Sequence, residues 1–180
     1  MAKTKEQLLN ILDQFQLDEK VVSAEPFGNG HINDTLKVTN EKGEIKYVLQ
    51  RINHLIFTNV DMLQNNIHVV TTHIRKKLEE KGETDIDRKV LTFLPTKDGK
   101  KYYFDGDSYW RVCLFIPRSK SYEEVTPELS YEAGKAFGDF QTMLSDIPEG
   151  TLGETIPDFH NMEFRLRQFH EAVALSLIHI

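Results

Sequence analysis

The chain has 180 residues, 39% hydrophobic and 28% charged, a balance that supports one sizeable core or two small ones. Its net charge of -6 argues against a broad nucleic-acid surface, and no stretch is long and apolar enough to span a membrane. The single cysteine, Cys113, excludes an intrachain disulfide, so the expectation is a cytoplasmic protein in a reducing compartment with neither nucleic-acid nor membrane partners.

In chain order, the first predicted element is a helix over residues 4–16. Thr4 and Gln7 have capping-box spacing, and Leu8, Leu12 and Phe15 share a face. Three strands follow, from Val21 to Phe27, His31 to Thr39 and Ile45 to Ile52. The first two are joined by Gly28-Asn29-Gly30. Two glycines so close permit positive φ and let a ligand approach the bare main chain. In the third strand Tyr47, Leu49 and Arg51 alternate with Val48, Gln50 and Ile52, so the two sets face opposite ways.

A long helix comes next. Thr58 and Asp61 offer a cap, and Val60, Leu63, Ile67, Val70, Ile74 and Leu78 step by three and four along one stripe. The cations Arg75, Lys76 and Lys77 suit its negative end, and Gly82 stops it. Val90 to Leu94 is apolar again, and Asp98-Gly99 and Asp105-Gly106 are turn dipeptides around Lys101 to Phe104. Trp110 to Ile116 alternates and ends at Pro117, the strongest strand signal in the chain; within it Cys113 reads as a small core residue.

Beyond Arg118 the pattern turns helical. Thr126-Pro127 starts a helix with proline at its first position, and Leu129, Ala133, Phe137, Phe140 and Leu144 form its expected buried face. Ile147-Pro148-Glu149-Gly150 stops it. A last helix runs from Asn161 to about Ala174 with Met162, Leu166, Phe169 and Val173 on one side. The segment from Pro117 to Glu124 is the expected boundary between residues 1–117 and 118–180.

The residues alone leave their roles open. Gly28, Asn29 and Gly30 make either a phosphate cover or an ordinary hairpin turn, and His31 and Asn33 either donate to phosphates or only shape that turn. The Arg51 fork suits phosphate bidentately, whereas strand parity favours Gln50. The element order, however, is that of a kinase small lobe joined to the start of a helical large lobe.

With Phe27-Gly-Asn-Gly-His-Ile-Asn-Asp-Thr, Tyr47-Val-Leu-Gln-Arg-Ile-Asn-His, Trp110-Arg-Val-Cys-Leu-Phe-Ile and Glu154-Thr-Ile-Pro-Asp-Phe-His, the chain resembles the aminoglycoside phosphotransferase and choline kinase-like superfamily. Within it, the chain looks most like bacterial N-acetylhexosamine 1-kinases. The resemblance implies an α+β fold: a protein-kinase-like small lobe (an antiparallel sheet plus one long helix), followed by the first helices of a truncated helical large lobe. It implies ATP and Mg²⁺ as cofactors. Gly28, Asn29, Gly30, His31 and Asn33 would cover the phosphates, Val48 would touch adenine, and backbone groups of Phe115 and Ile116 would bond it. Gln50 stands where the family's strand-three lysine belongs, with Arg51 beside it.

Nothing after Ile116 matches the family's catalytic His-x-Asp-like loop, so no catalytic or metal-binding residue is assigned. The expectation is an N-terminal fragment of a kinase that transfers the γ-phosphoryl of ATP to a sugar, at the anomeric hydroxyl of an N-acetylhexosamine. Such a fragment binds ATP weakly at most and does not turn over. Two alternatives stand beside it: another small-molecule kinase acting on choline, homoserine or an aminoglycoside, and a non-catalytic nucleotide-binding or interaction module. A truncated lobe should expose an apolar face and self-associate through it, whereas a complete module should close its core.

Overall fold

A computed structural model of the protein describes residues 3–28, 30–122 and 124–177. Helix α1 (Lys5–Leu12) opens with the expected capping box: Gln7 N–H donates to Thr4 Oγ1 at 3.3 Å, and Thr4 N–H donates to Gln7 Oε1 at 2.9 Å. It ends at Leu12, short of the predicted Gln16, because the chain then turns to seat Phe15 in a bridge to Thr96.

The strands β1 (Val21–Pro26), β2 (Asp34–Asn40), β3 (Ile45–Ile52), β4 (Phe93–Leu94), β5 (Tyr103–Phe104) and β6 (Tyr109–Leu114) form one six-stranded sheet in the order β1-β2-β3-β6-β4. Strand β5 also pairs with β6, and every pairing is antiparallel. The β2–β3 turn is fixed by Asn40, whose Oδ1 accepts from the N–H groups of Lys42 and Glu44. Gly43 takes φ of 81° there, a conformation L side chains rarely adopt.

The alternation of β3 puts a helix on each face of the sheet. Tyr47 and Leu49 bury against Leu8, Ile11, Leu12 and Phe15, together with Val38, Trp110 and Val112. Ile52 lies on the opposite face with Val60 and Leu63 of α2 (Val60–Glu80). Fully burying a Leu, Ile or Phe contributes about 1.5–3 kcal/mol, so these two clusters hold the lobe together. Farther along α2, Ile74 and Leu78 pack with Val90, joined by Met143 and Leu144. The predicted α2 stripe is thus the packing stripe. Its N-cap is Asn59, not Thr58 or Asp61: Asn59 Oδ1 accepts from Met62 N–H at 2.9 Å.

Several boundaries differ from the sequence reading. A short helix α3 (Ile86–Lys89) precedes β4, which keeps only two of the residues expected in a Val90–Leu94 strand. Strand β6 stops at Leu114, so Phe115 and Ile116 lie in the connection. Helix α4 (Pro127–Leu144) begins as predicted, with the Thr126 side chain accepting from Leu129 N–H. Its expected buried face is not buried. Phe137 is 70% exposed and Ala133 is exposed, and only Met143 and Leu144 reach the core. Helix α5 (Met162–Leu177) likewise exposes Met162, Leu166, Phe169 and Val173. Apolar periodicity marks a face built for burial, but it does not supply the surface that buries it.

The architecture is α+β: an antiparallel sheet with one long helix, followed by further helices, an arrangement compatible with a kinase-like small lobe and the first helices after it. Among the described residues no helix is long and apolar enough to cross a membrane.

Candidate functional site

The glycine turn sits where β1 passes to β2. Gly28 takes φ of 79°, so glycine is required there, and a Cβ would meet nothing within 4 Å. Gly30 has no positive φ, and a Cβ there would make only ordinary contact with the Asn33 carbonyl at 3.8 Å. The expectation that both glycines supply left-handed backbone therefore holds for Gly28 alone. Asn29 lies outside the described residues. His31 is exposed, and β2 begins at Asp34 rather than at His31. The Asn33 side chain shapes the turn: its Oδ1 accepts from Asn53 N–H at 2.9 Å and ties the hairpin to the end of β3. At the other side of the hairpin the Phe27 ring meets Phe115 edge-on at 5.9 Å.

The β3–β6 register is unbroken from Tyr47 to Ile52, so Gln50 and Arg51 face opposite ways. Arg51 lies on the α1 side and pairs with the Asp34 carboxylate. It lines a cavity of about 720 Å³ there with Lys3, Lys5, Gly28, Asn33 and Trp110. Val48 and Gln50 lie on the α2 side. The structure therefore brings Val48 and Gln50 together and separates Arg51 from them.

On that α2 side a polar row crosses three strands. Thr35, Gln50 and Arg111 are register partners across β2, β3 and β6. Gln50 Nε2 donates to Thr35 Oγ1 at 3.1 Å, and Arg111 Nε donates to Gln50 Oε1 at 3.0 Å. The Arg111 guanidinium stacks over the Phe93 ring at 5.3 Å. Its Nη1 is buried without a hydrogen-bond partner. Burial pushes the Arg111 pKa down, and the neighbouring Cys113 acts against that shift to a smaller extent. Arg111 carries no role in the sequence reading, because the strand around it looks like core. The available signal was a cation in the middle of the chain's strongest apolar strand, at a parity that only the β3–β6 register turns into a neighbour of Gln50.

The adjoining row is apolar. Val48 pairs with Cys113 and Cys113 with Phe93. Cys113 is buried, and burial pushes its thiol up to about 11, so it is a core residue as expected and no ready nucleophile. In the connection after β6, the Phe115 N–H donates to the Lys46 carbonyl at 2.8 Å, extending the sheet pairing. That N–H is therefore engaged within the protein rather than free for a base. The Ile116 carbonyl accepts from Ser119 Oγ at 3.3 Å.

Arg111 also lines a cavity of about 640 Å³ between α2, β4 and α4, with Ile67, Val70, Phe93, Phe140 and Met143 among its walls. The α4 end is tied to α2 by Asp146, which accepts from His73 Nε2 at 2.9 Å and pairs with Lys77. These bonds hold the Asp146 carboxyl at about 2. Among the described residues no group of three His, Cys, Asp or Glu side chains is placed to hold a metal.

Fold and geometry define a class: an α+β lobe with a glycine turn at one end of its sheet and a polar row beside the long helix. No protein-family model matches the chain.

Proposed function

We propose that the chain is the nucleotide lobe of an ATP-dependent phosphotransferase that phosphorylates a sugar hydroxyl, in particular the anomeric hydroxyl of an N-acetylhexosamine. The observation that carries this reading is the placement of Val48 and Gln50 on the α2 side of β3, next to a hairpin whose turn requires Gly28. Val48 offers an apolar surface for the base. On this reading the main-chain N–H groups of Gly28 and Gly30 would donate to phosphate oxygens, and such dipoles stabilise the charge of phosphoryl transfer.

When bound, ATP supplies the phosphoryl group and the leaving group. The residues here hold and orient it. Among the described residues no group of three His, Cys, Asp or Glu side chains is placed to hold Mg²⁺ beside it. On this reading a general base and metal ligands would have to come from other residues. The exposed Phe137, Met162 and Phe169 support that view, because α4 and α5 offer apolar faces suited to further packing or to self-association.

The test is a two-dimensional amide NMR titration with ATP·Mg²⁺ to millimolar concentration, beside phosphorylation assays of the intact gene product. Shifts clustered at Gly28, Val48 and Gln50, with turnover of N-acetylhexosamine, support the reading. Turnover of choline, homoserine or an aminoglycoside instead would keep the lobe and change the acceptor. Shifts without turnover of any acceptor would favour the non-catalytic module, the reading to which the absent lysine at Gln50 lends weight.

A further inference from the structure

We propose that Arg111, held by Gln50, is the cation that binds nucleotide phosphate in this lobe; the proposal rests on the nucleotide reading above. Three independent observations converge on it. First, Arg111 belongs to the only row that runs from the root of the glycine hairpin into β6 as a chain of side-chain hydrogen bonds among the described residues: Thr35, Gln50, Arg111. Gln50 brings no charge, but its carbonyl oxygen fixes the Arg111 Nε and so aims the planar fork.

Second, the fork is incompletely used. Nε is bonded to Gln50 and the guanidinium face rests on Phe93, while the buried Nη1 has no partner. A buried charged donor without an acceptor is costly, and a phosphate oxygen is the acceptor that guanidinium geometry matches best. Third, the neighbouring cation on β3 is committed elsewhere. Arg51 is on the opposite face and paired with Asp34. Arg111 forms no ion pair among the described residues, and it lines the cavity between α2, β4 and α4.

The row thus holds one cation, Arg111 on β6, and one oriented neutral partner, Gln50 on β3.

The experiment titrates the chain with inorganic tripolyphosphate, ATP·Mg²⁺ and adenosine, following the Arg111 Nε–Hε resonance by NMR and the affinities by calorimetry. Wild-type protein should bind tripolyphosphate and ATP with a shift of that resonance. Arg111→Met should weaken both by tenfold or more and leave adenosine within twofold. Arg111→Lys should fall between, because lysine restores the charge without the fork. An unmoved Nε–Hε resonance, no tripolyphosphate binding, or wild-type affinity in a folded Arg111→Met variant would overturn the proposal. The resonance test needs no variant and so survives any folding defect. If tripolyphosphate binds through Arg111 but adenosine does not bind and ATP gains nothing over tripolyphosphate, the phosphate site stands and the nucleotide reading fails.

Discussion

Gln50 Oε1 accepts from Arg111 Nε at 3.0 Å across the β3–β6 pair, while the other end of the same amide donates to Thr35. A neutral residue at position 50 is therefore what lets a half-buried cation sit at position 111. Gln50→Lys alone should place two cations on directly opposed residues, remove the acceptor for Arg111 and destabilise the lobe by about 2 kcal/mol. The exchange Gln50→Lys with Arg111→Gln should recover most of that loss. Urea denaturation of the two single variants and the double variant measures the coupling, and additive losses would sever the pair.

The hairpin is predicted to depend on Asn33. Asn33→Ala leaves the Asn53 N–H without its acceptor and frees the turn from the end of β3. The expected cost is about 1 kcal/mol, with faster amide exchange confined to residues 27–35 and to Asn53. Uniformly faster exchange across the sheet would show that Asn33 supports the whole lobe rather than the turn.

Acid should weaken the packing between the N-terminus and β6 through Asp105. Burial acts to raise this carboxyl, but the Lys3 ammonium at 2.8 Å, the N–H groups of Ser108 and Asp107 and the Trp110 indole outweigh it and hold it at about 2. The folded value lies below the ordinary one, so the stabilisation is present above about pH 4 and is lost as pH falls toward 2. Asp105→Asn should cost about 1 kcal/mol at neutral pH, the solvent-screened share of that shift, and should flatten the stability slope between pH 4 and 2. Trp110 fluorescence during acid titration reports it directly.

The exposed aromatic faces should drive association. Phe137, Met162 and Phe169 are 70%, 75% and 60% exposed. Replacing Phe137 and Phe169 with Glu should lower the apparent mass seen by light scattering at high concentration without lowering the melting temperature, since neither side chain packs in a core cluster. A drop in melting temperature would mean that these residues are buried in the folded protein.

Much of the fold was legible because local chemistry decides it. The Thr4–Gln7 box, the Ile45–Ile52 alternation, the α2 stripe and the Thr126-Pro127 start all depend on near neighbours in sequence, and each appears as read. What was not legible depends on register. Arg111 and Gln50 are 61 residues apart, and only the antiparallel pairing of β3 with β6 makes them neighbours. Likewise the parity of β3 separates Arg51 from Gln50, but the Asp34 partner of Arg51 follows from the β2–β3 register. The faces of α4 and α5 were legible as apolar, whereas their exposure is a property of what packs around them.

The most direct measurement is the chemical-shift map of this chain titrated with ATP·Mg²⁺. The account predicts saturable, weak binding with shifts at Val48, Gln50 and the Arg111 side chain, all on the α2 side of β3. Shifts gathered instead around Arg51, Lys3 and Trp110 on the α1 side, or no shifts at all at millimolar nucleotide, would contradict it.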